Sequence, residues 1–154
     1  MRAAAQHRMV HVAAGVLLGG VLLWAGVAKA MHPDDLTPAI SALGPVFAER
    51  AVGLACVLAA IEILIGLGVL GLKQRAIWGT GAALLLGAYT LYLGWLLTLP
   101  DAPRCGCLGI RLGRTPVQEH WAGILRNLGL IACAAIVIGS AADAERVGAR
   151  AVAA

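Results

Sequence analysis

Two thiols one residue apart, Cys105 and Cys107 in the stretch Arg104-Cys105-Gly106-Cys107-Leu108-Gly109, are the residues of this chain best equipped for chemistry. Across an extended Cys-x-Cys the Cα atoms lie roughly 7 Å apart, beyond the roughly 4.4–6.8 Å of ordinary disulfides, so ring closure requires a bend. Gly106 permits one. A bridge closed over so short a loop is strained, and strained exposed disulfides are the oxidising, exchange-prone kind. Arg104 next door, with Arg111 and Arg114 downstream, favours thiolate over thiol. Three readings stay open from the loop alone. The pair can exchange electrons with a partner, it can bind a soft metal ion together with His120 or His32, or it can merely staple the loop. Two sulfurs suit a soft ion but make an incomplete ligand set. Cys56 and Cys133 lie inside apolar runs, where thiols act as small hydrophobes, which leaves Cys105 and Cys107 as the reachable pair.

A second constellation is charged. Glu62 stands in the middle of an apolar run, and a charge at the centre of a membrane helix costs about 2.5–3.5 kcal/mol on insertion scales. Lys29 near the end of the first apolar run and Arg126, with Asn127, early in the last are the available partners. Such a cluster either holds a substrate or a proton beneath the thiol loop, or fixes helix packing. The chain has no phosphate-binding glycine loop, no Ser-His-Asp set and no paired carboxylates in a plausible cleft, so hydrolase and kinase chemistry find no support.

The elements that must position these residues follow from composition. The chain has 154 residues, 60% hydrophobic and 13% charged, against about 45–50% apolar and about 25% charged in a soluble domain. Four apolar runs, at about 10–31, 51–72, 76–99 and 121–142, each approach the ~20 residues a helix needs to cross a bilayer. Backbone amides cannot go unpaired in hydrocarbon, so the runs should be helices, and four of them with short connections predict an all-α, antiparallel four-helix integral membrane bundle in one domain. Leu72-Lys73-Gln74-Arg75 is brief enough to make the second and third spans neighbours. Gly15 and Gly19, or Gly26 and Ala30, have spacings that let helices approach closely. Between the first two spans, Leu36, Ile40 and Leu43 recur at helical spacing and predict a short amphipathic helix at the membrane interface. Trp24, Trp78, Trp95, Trp121, Tyr89 and Tyr92 read as interface anchors. The alanine-rich tail, 143–154, is a frayed helical extension or disordered.

Ala28-Lys29-Ala30 has the small-x-small form of a signal-peptide cleavage site, but the preceding apolar stretch is longer than a signal h-region and the lysine is awkward there, so the run reads as a retained span. Twelve Lys and Arg against eight Asp and Glu give a net charge of +4, spread without a basic run, which fits anionic lipid and not nucleic acid. With Lys29 and Arg126 set aside as lying within spans, six basic residues (Arg2, Arg8, Lys73, Arg75, Arg146, Arg150) flank one side and four (Arg50, Arg104, Arg111, Arg114) the other. This favours cytoplasmic N- and C-termini and an extracytoplasmic thiol loop, 100–120, in an oxidising compartment.

Gly26-Val27-Ala28-Lys29 followed by His32-Pro33, Glu62 within Ile61–Leu70, the Cys-Gly-Cys with its following Leu108-Gly109, and Leu125-Arg126-Asn127-Leu128 occur in an order that resembles the methylamine utilisation protein MauE family, a branch of the DoxX-like four-helix membrane proteins. The resemblance covers about residues 10–140. It implies a place in the inner membrane and a role in maturing an extracytoplasmic protein; the family's namesake serves the disulfide-rich small subunit of methylamine dehydrogenase, beside a thioredoxin-like protein. By the same resemblance Cys105 and Cys107 are the exchanging pair of a thiol-disulfide oxidoreductase component, and Lys29, Glu62, Arg126 and Asn127 match the family's polar positions. The chain departs from the pattern at Leu108, where an aromatic is common, and in the extra arginines of Ile110–Glu119. Unless Cys56 and Cys133 meet across the second and fourth spans, electrons leave through a quinone near Lys29, Glu62 and Arg126, or the partner supplies them. The competing classes are a soft-metal binding and transfer component and a non-catalytic structural membrane subunit.

Overall fold

A computed structural model of the chain describes residues 2–71, 75–105 and 115–152. It is all-helical over them: α1 (Arg2–Met31), a single 3-10 turn (Pro33–Asp35), α2 (Thr37–Ser41), α3 (Pro45–Ala48), α4 (Ala51–Gly71), α5 (Arg75–Leu96) and α6 (Pro116–Val152). Four segments, Met9–Met31, Ala51–Gly71, Arg75–Leu96 and Pro116–Gly139, are long and apolar enough to cross a membrane, as expected of a four-helix membrane bundle. Each packs on the next, α1 on α4, α4 on α5, α5 on α6 and α6 on α1, closing the bundle.

The bundle wears its largest apolar side chains outside. Leu84 and Leu91 are 71% and 77% exposed, while Lys29, Glu62, His120 and Asn127 are buried, the reverse of a soluble domain and the arrangement lipid rewards. Inside, two apolar clusters lie one above the other. The first takes a pair of residues from every span: Leu18 and Leu22, Ile65 and Val69, Ala82 and Leu86, Leu130 and Ala134. The second joins Leu36, Ala39 and Ile40 of the first connection to Ala51 and Ala55 of α4, Leu93 and Leu96 of α5, and Cys105. Along α4 and α5, Glu62 and Tyr89 fall between the residues given to one cluster and those given to the other.

α1 and α4 touch backbone to backbone. A Cβ on Gly66 would stand 3.0 Å from the Gly19 carbonyl oxygen, and one on Gly26 would stand 2.9 Å from that of Ala59. Gly15, the other half of the GxxxG spacing, has only Val137 near, at 3.9 Å, so the spacing of seven between Gly19 and Gly26 is the one the helices use.

Several expectations shift. α5 ends at Leu96, not near 99, because Pro100 disfavours helix before it; Thr98 N–H turns back to the Trp95 carbonyl, which its hydroxyl also bonds. α6 starts five residues earlier than the apolar run, at Pro116, a residue whose missing N–H is no loss in a first turn. The helix then continues through the tail to Val152. The expected amphipathic helix is broken into three short pieces by Pro33, Pro38 and Gly44-Pro45, with Gly44 at φ 131°, a conformation open to glycine. Leu36 and Ile40 are buried in the bundle, so the segment forms a lid over one end of it and does not float on the interface. The Leu72-Lys73-Gln74 connection lies outside the described residues.

Candidate functional site

At the bottom of the site, α1 and α4 bring Lys29 and Glu62 together. Lys29 sits on the stripe Leu18, Leu22, Ala25, Lys29, and Glu62 on the stripe Ala51, Ala55, Ala59, Glu62, Gly66, each with helical spacing and each facing inward. The small residues of the second stripe let α1 come close enough for the charges to meet. Lys29 Nζ donates to both carboxylate oxygens of Glu62 at 2.8 Å, with the side chains 3% and 1% exposed. The ammonium also lies 5.6 Å from the centre of the Tyr89 ring, within cation–π range.

α6 contributes the neighbouring polar groups. Arg126 donates from Nε and Nη2 to Asn127 Oδ1 at 3.2 and 2.9 Å. Arg126 is near enough to Glu62 and Tyr89 to couple with both electrostatically. The Tyr89 hydroxyl approaches Glu62 without closing a hydrogen bond. Among the described residues, the buried Tyr89 hydroxyl, Arg126 Nη1 and Asn127 Nδ2 have no hydrogen-bond partner, an expensive state for donors in an apolar interior.

Cys105 forms the top of the site. It was expected to be reachable, yet it is 4% exposed, covered by Leu36 and Ile40 of the lid and by Leu93 and Leu96 of α5. Cys105 is disulfide-bonded, whereas Cys56 and Cys133 are free. Cys56, within the second apolar run, lies on the exposed face of α4. Gly106, Cys107, Leu108, Gly109, Arg111 and Arg114 lie outside the described residues. Arg104, 53% exposed, stands 3.8 Å from Glu119, a pairing of the kind worth about 0–1 kcal/mol. Arg104→Gln is therefore expected to leave the detergent melting curve nearly unshifted; a loss of several kcal/mol would show that the guanidinium carries more of the loop than this contact.

Between top and bottom lies a cavity of about 210 Å³ whose walls include Lys29, Leu36, Ile40, Tyr89, Tyr92 and Cys105. Cys105 and Lys29 thus both line one chamber, whose surface is almost wholly apolar. Tyr92, expected as an interface anchor, donates its hydroxyl hydrogen to the Ala39 carbonyl and so ties the lid to α5. Trp78 also departs from the anchor role: it packs against the inner cluster over Gly68, while Trp24, Trp95 and Trp121 stay exposed.

The match that decides the family is long. The family described as methylamine utilisation protein MauE matches residues 7–140. The chain belongs to the MauE family. No curated protein and no solved structure matches it. In this MauE family protein the matched region contains every residue of the chamber, from Lys29 to Cys105, and Glu62, Arg126 and Asn127 as well. Among the described residues no group of three His, Cys, Asp or Glu side chains is placed to hold a metal ion.

Sequence reasoning missed Tyr89, Tyr92 and the burial of His120, which is fully enclosed near the backbone of Pro103 and Pro116 without closing a hydrogen bond to either. A signal existed for each. Tyr89 is two turns in from the end of α5, deeper than an anchor needs. His120, Gly123, Asn127, Leu130 and Ala134 form one stripe at spacings of three and four, so a helix begun at Pro116 carries His120 inward.

Proposed function

We propose that this MauE family protein is a thiol–disulfide exchange component of the inner membrane, with cytoplasmic termini and with Cys105 and Cys107 as the exchanging pair on the extracytoplasmic side. Its partner is a thioredoxin-like protein, and the client class that fits is a disulfide-rich extracytoplasmic subunit, such as the family's link to methylamine utilisation suggests. The observation that carries the reading is the redox asymmetry of the cysteines: Cys105 is disulfide-bonded at the head of a chamber, and Cys56 and Cys133 are free.

A thiolate of the partner attacks the Cys107 sulfur, the Cys105–Cys107 bond breaks, and Cys105 leaves as thiolate. The partner's second thiolate then displaces Cys107, so the partner departs with a disulfide and the membrane protein keeps two reduced sulfurs. The burial of Cys105 argues against it as the sulfur first attacked and supports Cys107 in the docking role, because an incoming protein thiol needs an open line to the sulfur it attacks.

Single serine variants test this in cells, by recovery of mixed disulfides after acid quenching. Cys105→Ser is expected to accumulate a covalent adduct with a thioredoxin-like extracytoplasmic protein through Cys107, and Cys107→Ser much less. Failure of both variants to form any such adduct, or thiol labelling that places the pair in the cytosol, would overturn the reading.

A further inference from the structure

The chamber beneath Cys105 gives a polar occupant nothing to hold. Its surface is almost wholly apolar, although Lys29, Tyr89 and Tyr92 contribute to it. Their polar atoms are engaged or enclosed elsewhere. Lys29 Nζ donates to both Glu62 oxygens at 2.8 Å, the Tyr92 hydroxyl donates to the Ala39 carbonyl, and the Tyr89 hydroxyl is buried in the packing. What these side chains turn to the chamber is methylene and ring surface. An apolar space of this kind stays dry, because a water needs two to four polar partners. We propose that the chamber binds an acyl chain of a bilayer phospholipid, inserted sideways from the leaflet on the side of the thiol loop. The site is independent of whether the cysteines exchange electrons.

The chamber is continuous with the surface that lipid already covers. Leu43 and Ala88 belong to its lining and are themselves exposed on the bundle surface, so it opens sideways beside α5. Ala88 lies on one helical stripe with Leu84 and Leu91, which are 71% and 77% exposed and face the hydrocarbon. A chain lying along that stripe enters at Ala88 without crossing water.

The depth of the opening selects a chain over a headgroup. Ala88 precedes the end of α5 at Leu96 by two helical turns, which places it about 12 Å in from that end. In a hydrocarbon core about 30 Å thick this level belongs to the acyl chains of one leaflet. The size agrees: an apolar cavity of about 150 Å³ takes up benzene, and this one, at about 210 Å³, has room for the end of one chain. Seated there, the chain packs on Ile40 of the lid and Leu93 of α5, both buried, and against Cys105, which it shields from below.

The test uses the full chain in nanodiscs containing a phosphatidylcholine with a diazirine near the end of one acyl chain. After irradiation, labelled residues are identified by tandem mass spectrometry. Label is expected on the chamber residues Ile40 and Leu93 as well as on Leu84 and Leu91 outside. Ala88→Phe, which obstructs the opening, is expected to lower the chamber labelling severalfold and spare the outer labelling. Leu84→Phe adds bulk to the same stripe one turn away, outside the lining, and should label as the parent does. A phosphatidylcholine carrying the diazirine in its headgroup should leave Ile40 and Leu93 unlabelled. Label confined to Leu84 and Leu91, equal chamber labelling in Ala88→Phe and the parent, or chamber labelling by the headgroup probe would each overturn the proposal. So would chamber labelling by diazirine palmitic acid with none by the phospholipid, which would assign the chamber to a free fatty acid.

Discussion

Glu62→Leu is expected to lower the stability of the bundle in detergent by about 3–5 kcal/mol, the cost of leaving one member of a buried ion pair alone. Lys29 and Glu62 are 3% and 1% exposed, and both carboxylate oxygens accept from the one ammonium at 2.8 Å, so no water stands ready to replace the lost partner. Lys29→Met/Glu62→Leu removes both charges and is expected to return to within about 1 kcal/mol of the parent or above it, because well-packed apolar replacements of buried pairs are often neutral or stabilising. Denaturant unfolding followed by helical circular dichroism measures both. The pair is then separable from its role: if it serves only to hold α1 on α4, the double variant regains the proposed thiol exchange in full along with stability, whereas a pair that shapes the chamber leaves that exchange impaired in a folded protein. A Glu62→Leu protein as stable as the parent would show that the Lys29 ammonium finds other satisfaction.

The second large effect belongs to Gly66. A Cβ there meets the Gly19 carbonyl oxygen and the Leu23 backbone nitrogen, both at 3.0 Å, and overpacking of this kind costs about 1–3 kcal/mol when side chains can yield. Backbone cannot rotate away, so Gly66→Leu should reach about 3 kcal/mol or more. Gly20, beside Gly19 in sequence, has nothing within 4 Å of an added Cβ, and Gly20→Ala should be neutral or slightly stabilising through helix propensity. Gly19→Leu should resemble Gly66→Leu, and the two together should cost less than their sum, since both force open one contact. Equal unfolding midpoints for Gly66→Leu and Gly20→Ala would refute the close approach of α1 and α4.

The spans were legible because hydrocarbon leaves a chain few choices: length and apolarity alone identify four helices within a few residues of where they lie. Glu62 was legible as a residue in need of a partner, and Lys29 stood among the candidates as one of the few charges lying within a span; that both fall on inward stripes is seen in the packing. The chamber was not legible. It depends on the lid, and the lid depends on where Pro38 and Gly44-Pro45 interrupt a stretch whose apolar spacing reads as one helix. The burial of Cys105 was hidden for the same reason, since part of its cover, Leu36 and Ile40, comes from more than sixty positions away in sequence. Tyr89 and Tyr92 were misplaced because aromatic residues near span ends ordinarily sit in the headgroup region, and only tertiary packing distinguishes those that turn inward.

The bond from Tyr92 to the lid has an asymmetry worth following. Its acceptor is the main-chain oxygen of residue 39, which every amino acid provides, while its donor is a phenol that only one does. Ala39 is fully enclosed, so the space around it limits which side chain can stand there but not the oxygen the latch uses, whereas a single oxygen atom removed at position 92 unfastens it. An engineer wishing to loosen the roof above the sulfur would therefore edit the fastener and leave the plank alone.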